Sequence, residues 1–158
     1  MSSDSAGFEL PLLLLLGFRA LIEDLHAELA RQGHPEARPM HGFVCQAIGP
    51  DGTTAVELGR RLGISKQAAG KAISSLERVG YVVREADAGD ARRRLVRLTP
   101  RGRDLLARSA RIFDGLRGEW ATTLGRARLR ALEGDLRKVT SGETSRLLDF
   151  PGWFARVG

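Results

Sequence analysis

Apolar residues near the N-terminus recur at three- and four-residue spacing. Leu14, Phe18, Leu21, Ile22, Leu25 and Leu29 form the stripe, with Arg19, Glu23, Asp24 and Glu28 between them, the period of a helix with one buried face. The pattern predicts a helix over 11–32, and Pro11 suits its first turn. Two prolines make 33–39 a loop. Met40, Phe43, Val44, Ala47 and Ile48 predict a short second helix, stopped by Gly49-Pro50-Asp51-Gly52. A third helix is predicted over 55–62 and a fourth over 65–79, with Gly63 as the break and Gly80 as a C-terminal glycine cap.

Two strand-like runs follow, 81–86 and 95–99, the second alternating Val96 and Leu98 with Leu95, Arg97 and Thr99. The polar segment between them, 87–94, reads as a hairpin tip. Thr99-Pro100 looks like an N-cap and first turn of a fifth helix carrying Leu105, Leu106, Ile112, Phe113, Leu116, Trp120 and Leu124. A sixth helix covers 126–139, and 147–154 is an apolar tail. Gly115, Gly118, Gly125 and Gly134 are expected inside the last two helices, each at a cost of about 1 kcal/mol relative to alanine. Such helices need tertiary support, which a partner subunit would supply.

Charge changes the picture because of where it lies. The net charge is +6. Between Gly52 and Arg103, 12 Lys or Arg stand against 5 Asp or Glu, whereas the rest of the chain carries 13 against 14. The excess sits in one stretch, which favours a polyanionic partner. Cys45 is the single cysteine and cannot close a disulfide within the chain, which points to a reducing, cytoplasmic setting and to a small core residue. The run Leu12 to Leu16 is flanked by Asp4, Glu9 and Arg19, too short and too acidic at its start for a signal or a membrane span. It is expected to be a buried helix, in the core or at a subunit interface.

The stretch 55–99 holds the parts of a helix-turn-helix, two short helices set at a steep angle so that the second can lie in a major groove. Val56, Leu58 and Leu62 are expected to face inward on the first, Gly59 is small at the crossing, and Ile64 is expected to fill the core beneath Gly63. Ala69, Ala72, Ile73 and Leu76 would form the inner face of the second. Its outer face then carries Ser65, Lys66, Gln67, Gly70, Lys71, Ser74 and Arg78, with no acid before Glu77. Ser65 can cap the helix and meet a phosphate, while Gln67 and Lys71 are types that read adenine and guanine edges. Gly70 allows a close approach to the sugar-phosphate wall. Arg92, Arg93 and Arg94 suit insertion into a minor groove, and Asp90 is expected to orient one of their guanidinium groups. Arg60 and Arg61 face either phosphate or solvent.

The order helix, tight turn, helix, Gly-Tyr-Val-Val, acidic-basic hairpin, Leu-Thr-Pro-Arg-Gly resembles the multiple-antibiotic-resistance regulator (MarR) family. The strings that carry the resemblance are Val56-Glu57-Leu58-Gly59-Arg60-Arg61-Leu62-Gly63-Ile64-Ser65-Lys66-Gln67-Ala68 and Asp90-Ala91-Arg92-Arg93-Arg94-Leu95-Val96-Arg97-Leu98-Thr99. Ala91 replaces the first arginine of the family's Asp-Arg-Arg wing, so Arg92 takes the place of the minor-groove arginine. The resemblance implies a mainly α fold with a small antiparallel β-hairpin, a winged helix-turn-helix flanked by N- and C-terminal dimerisation helices. Residues 1–39 would be the N-terminal dimerisation helix and loop, 40–103 the DNA-binding lobe, and 104–158 the C-terminal dimerisation helices. It further implies a homodimeric, cytoplasmic repressor of double-stranded DNA, binding a pseudo-palindromic operator and released by a small aromatic effector, with Trp120 as a candidate pocket residue. No enzyme signature, cofactor motif or metal-ligand spacing is present; His26, His34 and His41 do not make one. The rival reading is a winged-helix module for an acidic protein partner, disfavoured because the fourth helix exposes no aromatic residue. A peripheral membrane protein using the leucine-rich first helix is the third.

Overall fold

A computed structural model describes residues 7–140; the apolar tail with Trp153 and Phe154 lies outside them. The elements run α1 (Glu9–Arg31), α2 (His41–Ile48), α3 (Ala55–Leu62), α4 (Lys66–Arg78), β1 (Val82–Ala86), β2 (Arg94–Leu98), α5 (Pro100–Leu124) and α6 (Arg126–Val139). Every predicted element is present. β1 and β2 pair antiparallel, with Val82 opposite Leu98 and Ala86 opposite Arg94. Thr53 adds a bridge to Val96 through two backbone hydrogen bonds of 3.0 and 2.7 Å, a third strand position that the sequence pattern did not announce.

The helix-turn-helix is set by local chemistry. The Thr54 hydroxyl accepts from the Glu57 amide and starts α3, as an N-cap should. Gly63 ends it at φ 68, in the left-handed region where a side chain is costly. The chain then folds back so closely that a Cβ on Gly59 would stand 2.9 Å from the Ile64 carbonyl oxygen. The Ser65 hydroxyl accepts from the Ala68 amide and starts α4. At the other end of α4, amides of Gly80 and Tyr81 return to the carbonyls of Glu77 and Leu76, the paired glycine cap expected there.

One core joins the lobe to the long helices. Leu25 and Leu29 of α1, Cys45 and Ile48 of α2, Leu58 of α3, Ile73 and Leu76 of α4, Tyr81, Val82, Val96 and Leu105 are all buried in it. Each such aliphatic side chain contributes roughly 1.5–3 kcal/mol by leaving water.

Four expectations are corrected. Val56 is exposed, because it lies two residues, about 200° of helical turn, from buried Leu58. Ile64 is exposed as well, since its carbonyl rather than its side chain turns toward α3. Gly125 stands between α5 and α6 at φ 91 and breaks the helix instead of occupying its interior. Leu12 to Leu16 are not buried in the chain, each being 46–57% exposed. Five consecutive leucines point to every side of a helix, so no single groove within one chain can cover them.

Candidate nucleic-acid interface

Ser65, Lys66, Gln67, Lys71, Ser74 and Arg78 are exposed along α4, while Ala69, Ile73 and Leu76 are buried behind them. Gly70 lies on the same outer face, half-buried, with open space where a Cβ would be. Among the described residues neither Lys66 nor Lys71 pairs with a carboxylate, which leaves two unneutralised cations beside hydrogen-bonding side chains. Arg61 behaves differently from a phosphate contact: its guanidinium donates to the Ala47 carbonyl at 2.8 Å and the Ile48 carbonyl at 3.3 Å, capping the end of α2. Arg60 is exposed beside Glu57.

The hairpin tip is ordered by its own aspartates. The Asp87 amide donates to the Arg93 carbonyl at 3.0 Å, and the Asp87 carboxylate accepts from the Gly89 amide. Asp90 takes a role other than the expected one: its carboxylate accepts from the Arg92 amide at 2.9 Å. It thereby shapes the turn, as short acidic side chains commonly do, and the carboxylate facing a guanidinium is Asp87, 3.9 Å from Arg93. Arg94 is the first residue of β2, opposite Ala86, and not part of the tip. Arg92, Arg93 and Arg94 are all exposed. One residue of this surface escaped the sequence reading. Arg84 of β1 reaches across to α4 and donates to the Ser74 hydroxyl at 2.8 Å and the Gly70 carbonyl at 3.4 Å. Strand alternation was the available signal, since it puts Arg84 on the same inward face as Val82.

Residues 46–93, which span the two helices and the hairpin tip, match the family model described as MarR family. The match covers the helix-turn-helix and hairpin tip and no more of the chain. No curated protein sequence matches the chain. Among solved structures it is similar to Streptococcus pneumoniae FabT in complex with DNA, at 16% identity and a TM-score of 0.70 over 85% of this chain and 94% of that one. It is also similar to S. aureus MepR in a DNA complex (20%, 0.64, 82% and 94%) and to PcaV from Streptomyces coelicolor in complex with its natural ligand (18%, 0.62, 88% and 94%). These likenesses, at such identities, establish the winged-helix fold with its long flanking helices.

A polar joint ties the winged-helix lobe to the helices around it. His34, 2% exposed in the loop after α1, lies 2.8 Å from the Asp104 carboxylate of α5 and 3.0 Å from the Tyr81 hydroxyl. Because the carboxylate only accepts, His34 Nε2–H donates to it, and Nδ1 shares a hydrogen bond with the Tyr81 hydroxyl. Hydrogen bonds from His34 and from Arg108 hold the Asp104 carboxyl below the usual range. Arg101 lies over the Tyr81 ring, 5.2 Å from its centre. Beside it, His41 accepts from the Arg38 amide and faces the Ser75 hydroxyl of α4 at 3.0 Å. Burial, with Arg38 and His26 nearby, lowers the pKa of His41 and favours its neutral form.

A cavity of about 470 Å³ opens where α1, α2 and α5 meet. Leu29, Phe43, Leu106 and Phe113 supply apolar wall, and Arg38 and Arg103 also line it. Both ring nitrogens of His26 and the Ser109 hydroxyl are buried there without a hydrogen-bond partner among the described residues. Burial lowers the pKa of His26. Unpartnered buried polar groups are costly and ask for water or a ligand. Trp120 is not part of this wall; it sits against Gly17 of α1. Cys45 is fully buried, and desolvation pushes its thiol up to about 12, the opposite of a reactive thiolate. Among the described residues no cluster of three or more His, Cys, Asp or Glu could hold a metal ion, and no helix is long and apolar enough to cross a membrane.

Proposed function

We propose that the chain is a sequence-specific regulator of transcription that binds double-stranded DNA as a homodimer. The observation that carries this reading is the outer face of α4. Ser65, Lys66, Gln67, Gly70, Lys71 and Ser74 lie together there, exposed or half-exposed, cations unpaired, beside a hairpin whose Arg92, Arg93 and Arg94 are exposed. A helix of this kind enters the major groove, with Gln67 and Lys71 at base edges and Ser65 at a phosphate, while the arginines reach the flanking minor groove. FabT and MepR, similar in fold, are each found in complex with DNA, which supports DNA as the partner.

The exposed leucines of α1 support a second copy as their cover, with 1–39 and 104–158 as the dimerising parts and 40–103 as the reading lobe. Two-fold symmetry then gives a pseudo-palindromic site with half-sites about 10 base pairs apart. Repression relieved by a small aromatic ligand fits the cavity beside the lobe, with Phe43 and Phe113 against the ring and His26 and Ser109 as its hydrogen-bonding partners. Such a ligand shifts the spacing of the two lobes by binding one spacing better than the other. A cytoplasmic setting follows from a DNA target.

The test is duplex binding across salt. A dimer neutralising about six to ten phosphates loses on the order of a thousandfold or more of its affinity between roughly 50 and 200 mM salt. Affinity that stays flat over that range contradicts phosphate neutralisation and favours an acidic protein partner.

A further inference from the structure

We propose that Arg84 is a positioning residue for DNA binding: it turns the Ser74 hydroxyl outward as a donor and neutralises Glu77, the acid on the exposed face of α4. The inference rests on the reading of α4 as the groove-facing helix. A guanidinium has only donors, so in the 2.8 Å contact Ser74 Oγ is the acceptor. Its own proton is then left for another acceptor, and phosphate oxygens and the major-groove edges of guanine, adenine and thymine all offer one.

The same guanidinium answers an electrostatic problem. Gly70, Ser74 and Glu77 follow one another at four- and three-residue spacing, one row along the helix. Glu77 is 46% exposed and would present a bare carboxylate to the phosphate backbone, but Arg84 Nε lies 3.7 Å from its Oε1. The third contact, to the Gly70 carbonyl, fastens the root of the hairpin to the middle of α4. Arg84 stands on β1 opposite Val96 and two residues after Val82, which is opposite Leu98. On the face of the hairpin that packs toward the helices, Arg84 stands at the Val96 position and Arg94 at its far end opposite Ala86, and the acceptors of Arg84 all belong to α4.

The experiment is a titration of the full chain with a duplex that it binds, read by fluorescence anisotropy, for wild type, Arg84→Ala, Glu77→Gln, Ser74→Ala and the two double variants. Arg84→Ala should weaken binding about 30-fold, since it leaves one charge unpaired and frees one hydroxyl in each subunit. Adding Glu77→Gln to it should restore binding at least about fivefold, and adding Ser74→Ala should cost no more than about twofold further, because the two residues act as a unit. Thermal unfolding should change little; if Arg84→Ala fails to fold, Arg84→Gln replaces it throughout. Arg84→Ala binding like wild type overturns the proposal. So does a double variant with Glu77→Gln that recovers nothing, which would make Arg84 a direct phosphate contact or a purely structural residue. Failure of the wild-type chain to bind any duplex would instead remove the DNA reading beneath it.

Discussion

Lys71→Glu should abolish specific duplex binding while leaving the fold and the oligomeric state unchanged. Lys71 is exposed in the middle of α4 and meets no carboxylate among the described residues. Lysine and glutamate have nearly equal helix propensity, so the helix itself is indifferent to the change. A surface substitution of this kind moves stability by less than about 0.5 kcal/mol. Binding is another matter. The change removes a contact to a base edge, about 1–3 kcal/mol, and sets an anion against phosphate, in both subunits of a dimer. The combined loss is a hundredfold at least, on the order of 3 kcal/mol or more. Gel-shift titration beside a thermal melt and size-exclusion chromatography reads both sides. An unfolded variant would make Lys71 structural; unchanged affinity would put the wrong face of α4 on the DNA.

The second large effect concerns the scaffold. Gly102→Ala is expected to cost about 3–5 kcal/mol, more than the usual 1–3 for an overpacked site. Gly102 is buried in the first turn of α5, and its amide donates to the Thr99 hydroxyl at 3.1 Å. An ideal Cβ there would fall inside the van der Waals shell of the Tyr81 carbonyl oxygen and 3.5 Å from the Leu98 side chain. That carbonyl cannot retreat, because it also accepts the Thr99 amide at 3.0 Å. The start of α5 must move instead, and with it Asp104 and its link to His34. Against a typical domain stability of roughly 5–15 kcal/mol, urea denaturation should show a large share of the margin gone. A midpoint within experimental error of wild type would mean that α5 can slide freely over β1.

The lobe was legible in the sequence because its signals are local. Gly63, Ser65, Gly80 and Thr99 each act within a few residues, as caps or as turn residues, and each stands where the pattern put it. The stripe of Ala69, Ile73 and Leu76 likewise follows from helical period alone. The polar joint was hidden, since His34 finds Tyr81 at a separation of 47 residues and Asp104 at 70, distances over which no periodicity speaks. Asp90 was misassigned for a related reason. A carboxylate among arginines suggests a salt bridge, yet the nearest donor in a tight turn is a backbone amide two residues on. The leucine run was read as buried because composition reports apolarity without reporting what covers it.

The most direct test of the central claim is selection of bound fragments from a random duplex pool by the purified full chain. The account predicts an enriched pseudo-palindrome whose half-sites are centred about one helical turn apart, with enrichment lost in Lys71→Glu. Recovery of no common sequence, or of the same sequences by Lys71→Glu, would contradict it.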